Sequence, residues 1–277
     1  MVLEAIYIVR HGFRTSYTVD SQTGVYTSNI RTPTGIPTDA PLTSYGVAQS
    51  HELASRLTTV HPPIERVYSS PFFRCVQTIA PTVEKLRAAG KLAKDSSGCI
   101  RGENGIGEWY GTAPFEHPSP ASPEVISSLI TPSNTSTTSS APIYSLSYTP
   151  VLTPPNTGES IPSLHTRVAT VLNRIIAAVD AEENGPKAIL ICTHAATMIA
   201  SGRVLTGKKP GKWEEEDFGA WTCGVSTFLR RSKNSSPGVG LEARDEEFWE
   251  STGIAGGWDC VSNGDCSFLS GGAERGW

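Results

Sequence analysis

Short runs of apolar residues, each ended by polar or basic positions, alternate along this chain with stretches whose apolar residues recur at helical spacing. Ala5-Ile6-Tyr7-Ile8-Val9 is the first run and predicts a buried strand that stops at Arg10-His11-Gly12. Residues 45–60 place Ala48, Leu53, Leu57 and Val60 on one helical stripe, with Ser44 expected to cap its start and Pro62-Pro63 following its end. Arg66-Val67-Tyr68-Ser69-Ser70 predicts a second strand. Ser70-Pro71 then reads as N-cap and first helical residue of a helix reaching about Ala89. A weak third strand is expected near Cys99-Ile100. The strongest helical stripe, Leu164, Val168, Val171, Leu172, Ile175 and Val179, predicts a helix over 160–182, ended by Asn184-Gly185-Pro186. A fully apolar strand over 187–192 closes in Thr193-His194, and a helix is expected over 195–205. Strand and helix alternate, so the predicted class is α/β: three layers, α/β/α, around a mostly parallel central sheet.

Two regions break the alternation. Residues 111–160 are rich in Ser, Thr and Pro, and no Lys or Arg occurs from Gly102 to Thr166. This reads as an insertion or lid on the domain. Ser232–Gly240 reads as a polar linker, followed by an aromatic stretch with Phe248, Trp249, Trp258, Phe268 and Trp277. The expected division is therefore a domain over 1–231 and a linker with a docking segment over 232–277, the latter binding this domain or a partner. Gly276-Trp277 carries no terminating pattern, which reads as an interrupted chain.

At 277 residues the chain can hold one large domain or two small ones. Its net charge of −4 argues against a protein that grips nucleic acid through its overall field, and no apolar run is long enough for a membrane span. The first strand follows the N-terminus directly, without a basic leader, so a cytoplasmic or nuclear protein is expected. Six scattered cysteines (Cys75, Cys99, Cys192, Cys223, Cys260, Cys266) form no Cys-x-x-Cys pair, and free thiols are favoured over a Cys260–Cys266 disulfide or a zinc site.

The polar residues at the strand ends carry the chemistry. In open α/β sheets, ligand sites gather at strand carboxyl ends. Arg10, His11 and Arg14 follow the first strand, Arg74 the second, Glu108 the third and His194 the fourth, so all can reach one crevice. Arginines offer planar forks for phosphate oxygens, an imidazole can attack phosphorus, and a carboxylic acid can protonate the leaving oxygen. Apolar neighbours such as Trp109 are expected to raise the pKa of Glu108. The helix at Pro71 is expected to aim its free N–H groups at the anion, and Gly12 to let the backbone approach it. Neither a metal nor another cofactor is required. A cysteine phosphatase is disfavoured, because no cysteine is followed six positions later by arginine.

These segments resemble the histidine phosphatase, or phosphoglycerate mutase-like, superfamily. Arg10-His11-Gly12 matches its defining motif, Ser69 to Thr78 its second-arginine segment, Thr193-His194-Ala195 its second-histidine segment, and Gly107-Glu108-Trp109 its acid-bearing loop. The resemblance implies His11 as nucleophile, Arg10, Arg14, Arg74 and His194 as the phosphate pocket, and Glu108 as proton donor. Mutases usually carry Asn six residues past the nucleophile; Tyr17 stands there, so the implied activity is a metal-independent phosphomonoesterase acting on a phosphate ester or phosphopeptide. The first strand, residues 105–110 and the stretch 258–277 also resemble a fungal family of transcription factor IIIC subunits that serve RNA polymerase III. That resemblance implies a nuclear protein whose C-terminal segment binds a larger tau subunit, without direct contact to nucleic acid. Two alternatives stay open: a catalytically weak scaffold in such a complex, and a free-standing, cytoplasmic histidine phosphatase.

Overall fold

A computed structural model describes residues 2–93, 98–130, 142–231 and 248–276. Its centre is strand β1 (Ala5–Arg10), buried along its whole length. β1 pairs in parallel with β6 (Ala188–Thr193), Ala5 opposite Ala188 and Arg10 opposite Thr193. On its other side it pairs antiparallel with β7 (Val225–Arg230). β4 (Arg66–Ser69) lies beside β6, and β5 (Ile100–Gly102) beside β4, both parallel. The sheet order is β5-β4-β6-β1-β7-β8, where β8 is Trp258–Asp265. A separate hairpin joins β2 (Tyr17–Val19) to β3 (Tyr26–Ser28).

Alternating side chains of β1 build two cores. Ala5, Tyr7 and Val9 face α1 (Ser44–Leu57) and α2 (Phe73–Ala88) through Leu53, Leu57, Val76, Ile79 and Val83. Ile6 and Ile8 face α4 (Ile161–Asp180) and α5 (Ala195–Thr206) through Val168, Leu172, Ile175 and Val204. A sheet buried on both faces needs strands without polar alternation, as β1 and β6 have. This is the three-layer arrangement expected from the sequence. The predicted helices over 45–60, 160–182 and 195–205 are α1, α4 and α5, each within a few residues. Thr43 rather than Ser44 caps α1, its side chain accepting from Gly46 N. The weak third strand lies at Ile100–Gly102.

The start of α2 differs from expectation. The helix begins at Phe73, and its N-cap Phe72 makes no side-chain cap bond. Ser70 is not a cap because its Oγ bonds His194 Nε2 at 2.7 Å. The first turn is not open to an anion through Phe73, whose N–H donates to Asp39 Oδ1 at 2.7 Å. Gly12 serves packing: a Cβ there would lie 2.9 Å from the Gly46 carbonyl oxygen of α1 and 3.3 Å from Cys223 Sγ.

Within 111–160, the described residues pack on the domain. A short helix α3 (Pro123–Leu129) buries Ile126, and Ile143 and Tyr144 are buried beside β5. Glu103 anchors this region, accepting from Tyr148 Oη and Val151 N at 2.8 Å each. The expected linker Ser232–Gly240 and Trp277 lie outside the described residues.

The expected boundary at 231 does not divide this fold. β8 is the edge strand of the same sheet, antiparallel to β7 with Trp258 opposite Arg230. Trp249 and Trp258 are fully buried among Ile6, Phe228 and the α4–α5 side chains, because β7 leaves an apolar flank that needs cover. The Arg230 guanidinium stacks on the Trp258 ring at 5.0 Å. Trp258→Ala is therefore expected to cost about 3–5 kcal/mol in urea denaturation. Trp258→Phe should cost far less, since Trp258 Nε1 is buried without a partner. A loss below about 1 kcal/mol for the alanine variant would separate this segment from the core.

Candidate active site

The carboxyl ends of β1, β4, β5 and β6 bring Arg10, His11, Arg14, Arg74, Glu108 and His194 into one cluster. Arg10, His11, Arg74 and His194 are buried, and Glu108 keeps a partly exposed side chain. The loop bearing Glu108 is fixed from below. Thr193 Oγ1 donates to Ile106 O at 2.6 Å, Thr197 Oγ1 to Gly107 O at 2.8 Å, and Arg167 Nη1 to Gly105 O at 2.8 Å. Arg167 is itself paired with buried Glu159, whose carbonyl accepts from Trp109 Nε1 at 2.9 Å. These bonds turn Trp109 away and leave Glu108 facing the cluster.

Glu108 Oε2 accepts from Arg74 Nη2 at 2.9 Å and lies 3.2 Å from His194 Nδ1. Arg74 also donates to the Thr38 carbonyl at 2.9 Å and lies 3.8 Å from buried Asp39. Burial raises the Asp39 carboxyl to about 6, against the pull of Arg74. The rings of His11 and His194 meet edge to face, with centroids 5.4 Å apart. His11 Nδ1 lies 2.8 Å from the Gly12 carbonyl oxygen, which can only accept; Nδ1 is thus the N–H and Nε2 carries the lone pair.

The electrostatics assign protonation. Burial lowers the His11 pKa well below the usual range, and Arg74, Arg10 and His194 lower it further, so the ring is neutral. Burial opposes charge on His194, but Cys75 and Glu108 outweigh it and raise its pKa. For Glu108 the expectation of a raised pKa fails. Burial does push it up, but His194 and Arg74 outweigh that and hold the carboxyl well below its ordinary value. Trp109, the sequence neighbour, contributes little because its indole faces Glu159. Arg10 is brought down to about 10, chiefly by burial. Arg14 is lowered by burial and by Arg74, and its guanidinium lies over the Tyr17 ring at 4.7 Å.

His11, Glu108 and His194 could each offer a ligand atom within 4.8 Å of the others, a spacing that would suit a metal ion. Arg74 argues against that use, because its guanidinium already bonds Glu108 and lies 3.2 Å from His194 Nδ1. A divalent ion there would face a buried cation at contact distance.

Several residues at this site were given no role in it from sequence. Ser70 orients His194, Thr78 Oγ1 accepts from Gly12 N at 2.9 Å, and Phe72 packs edge-on against His194 with ring centroids 5.5 Å apart. His117, given no role from sequence, stacks on Tyr110 with centroids 4.9 Å apart and bonds Tyr26 Oη at 2.7 Å. A cleft opens beside Glu108, lined by Phe72, Tyr110, His117, Pro154 and Glu159. Ser70 and Thr78 lie within the segment Ser69 to Thr78 that carries Arg74, and that placement is their signal in the sequence.

This arrangement sits on a fold shared with known proteins. The fold is that of the phosphoglycerate mutase-like histidine phosphatases, and residues 6–113 match the sequence model of the histidine phosphatase superfamily (branch 1). Among solved structures, the ecdysone phosphate phosphatase from Bombix mori superposes with a TM-score of 0.59 at 19% identity, covering 94% of this chain and 92% of its own. YhfR of Bacillus stearothermophilus gives 0.51 at 14% identity, covering 96% and 99%. Among curated proteins, the transcription factor tau 55 kDa subunit of Saccharomyces cerevisiae is 29% identical across 100% of this chain. The chain spans 59% of that protein's length. The ecdysteroid-phosphate phosphatase of Drosophila melanogaster is 31% identical over 127 residues, which are 39% of this chain and 16% of its own.

Proposed function

We propose that the protein is a metal-independent phosphomonoesterase working through a phosphohistidine on His11. The observation that carries this reading is the neutral His11, its Nε2 lone pair unspent by the Gly12 contact, among Arg10, Arg74 and His194 with a carboxylate alongside. Arg10, Arg14, Arg74 and His194 hold the phosphate oxygens. Glu108, ionised in the free site, takes up a proton when the phosphate dianion binds beside it; His11 Nε2 then attacks phosphorus, the ester P–O bond breaks, and Glu108 gives that proton to the leaving oxygen. Glu108, now a carboxylate, takes a proton from water; the hydroxide attacks phosphorus, the P–N bond breaks and phosphate leaves. Phe72, Tyr110 and His117 line the leaving-group side, a surface suited to an aromatic or apolar ester or the side chain of a phosphopeptide.

Similarity along the whole chain to a yeast transcription factor tau subunit supports a second layer to this reading. In it the protein is a nuclear subunit of transcription factor IIIC, bound to the larger tau subunit and serving RNA polymerase III. A catalytically weak scaffold is the competing reading, and one observation favours it: Glu108 already neutralises Arg74 and His194, the groups a phosphate would meet. Hydrolysis of p-nitrophenyl phosphate with excess chelator separates the two. Turnover unaffected by chelator is expected. Absence of turnover, with phosphate still bound, would favour the scaffold.

A further inference from the structure

The residues after β8 return to the active site. Leu269 is buried, Ser270 N donates to Glu52 Oε2 at 3.1 Å, and the chain then crosses the end of β1. Thr222, bridged to Arg10, donates its N–H to the Glu274 carbonyl at 2.9 Å. Arg10 Nη1 donates to Arg275 O and, at 2.9 Å, to Ala220 O; Nη2 donates to Gly276 O at 3.5 Å. Two of these acceptors belong to the strap. Arg275 is fastened outside: its guanidinium bonds Glu216 at 2.9 and 3.2 Å and lies over the Trp221 ring at 5.4 Å.

We propose that residues 274–276 are a positioning strap for Arg10, latched by Arg275 on Glu216 and Trp221. The inference rests on the reading of Arg10 as a phosphate ligand. A buried arginine side chain has several rotatable bonds, and its planar fork binds phosphate well only when its plane is fixed. Carbonyls accept from one edge of the guanidinium and fix that plane without adding a charge that would compete for it. A cation brought to about 10 by burial is favoured by such carbonyl partners. Arg275 therefore acts through Arg10 and touches no substrate.

The test measures inorganic phosphate affinity by calorimetry, together with KM and kcat for p-nitrophenyl phosphate. A chain ending at Ala273 should bind phosphate about tenfold more weakly, with KM rising in parallel and kcat falling less. Arg275→Ala and Glu216→Gln remove an exposed ion pair and should each weaken phosphate by about two- to fivefold, with no further loss in the double variant. Arg275→Lys should recover part of the affinity. Glu216 is largely exposed, so its variant is expected to fold and keeps the test open if the shortened chain does not. Unchanged phosphate affinity in the Glu216 and Arg275 variants would overturn the strap as a positioning element. Tighter binding would overturn it too, since the carbonyls would then be competitors of phosphate. Failure of the wild type to bind phosphate would instead remove the phosphatase reading itself.

Discussion

His11→Ala is expected to lower turnover of p-nitrophenyl phosphate by about 10³-fold or more while leaving the phosphate pocket intact. The reasoning starts from the fixed tautomer. Because Gly12 O accepts from Nδ1, the reactive lone pair is on Nε2, and burial among cations keeps the ring unprotonated well below pH 6.5. Alanine removes the attacking atom but none of the arginines, so inorganic phosphate should bind at least as well as in wild type. The depressed pKa also fixes a sign: the acid limb of the pH–rate profile should lie well below pH 6.5, since protonation of His11 abolishes attack only there. Wild-type enzyme quenched in alkali should retain phosphate at a base-stable, acid-labile linkage that the variant lacks. Residual turnover above a tenth of wild type would mean another group attacks phosphorus.

Glu108→Gln should have two opposite effects. In the unliganded site the carboxylate partners Arg74 and His194, so it competes with a phosphate dianion for the same cations. Removing its charge should tighten inorganic phosphate by about tenfold, equivalent to about 1.4 kcal/mol. Loss of the proposed proton donor should slow alkyl phosphates by about 10²–10⁴-fold and p-nitrophenyl phosphate much less, because its leaving group needs little protonation. The pH sign follows from the depressed pKa. Glu108 is ionised in the free enzyme, and an arriving dianion both neutralises its cationic partners and repels it, which pushes its pKa up. Binding then takes up a proton, so wild-type phosphate affinity should fall as pH rises, and the glutamine variant should lose most of that slope. Equal slowing of both esters, or weaker phosphate binding, would remove Glu108 from the acid role.

Much of this was legible in the linear chain, for a physical reason. Strands buried on both faces, such as β1 and β6, are continuous apolar runs, and the residues that end them stand at the site. Arg10, His11, Arg74 and His194 could therefore be placed together from spacing alone. β8 was illegible because an edge strand needs only one covered face. Trp258 to Asp265 alternates in exposure and contains Asn263-Gly264, which reads as a turn. The protonation of Glu108 was misjudged because its sequence neighbour Trp109 faces elsewhere, while the cations that govern it come from α2 and from the end of β6. Ser70 was read as a cap because Ser-Pro is a strong local signal; a buried imidazole 124 positions away outbid that signal for its hydroxyl.

The central place of β1 carries a consequence for motion. Hydrogen-bonded on both edges and covered on both faces, it cannot open locally without parting the sheet in two. Its amides should exchange with deuterium only through global unfolding, whereas those of the β2–β3 hairpin should exchange through small fluctuations. His11, the proposed nucleophile, thus directly follows a strand expected to be among the slowest to exchange of the described residues. On the proposed reading, adaptation to different esters would fall to the aromatic rim and the loops around it, while the His11 nitrogen stays where it is.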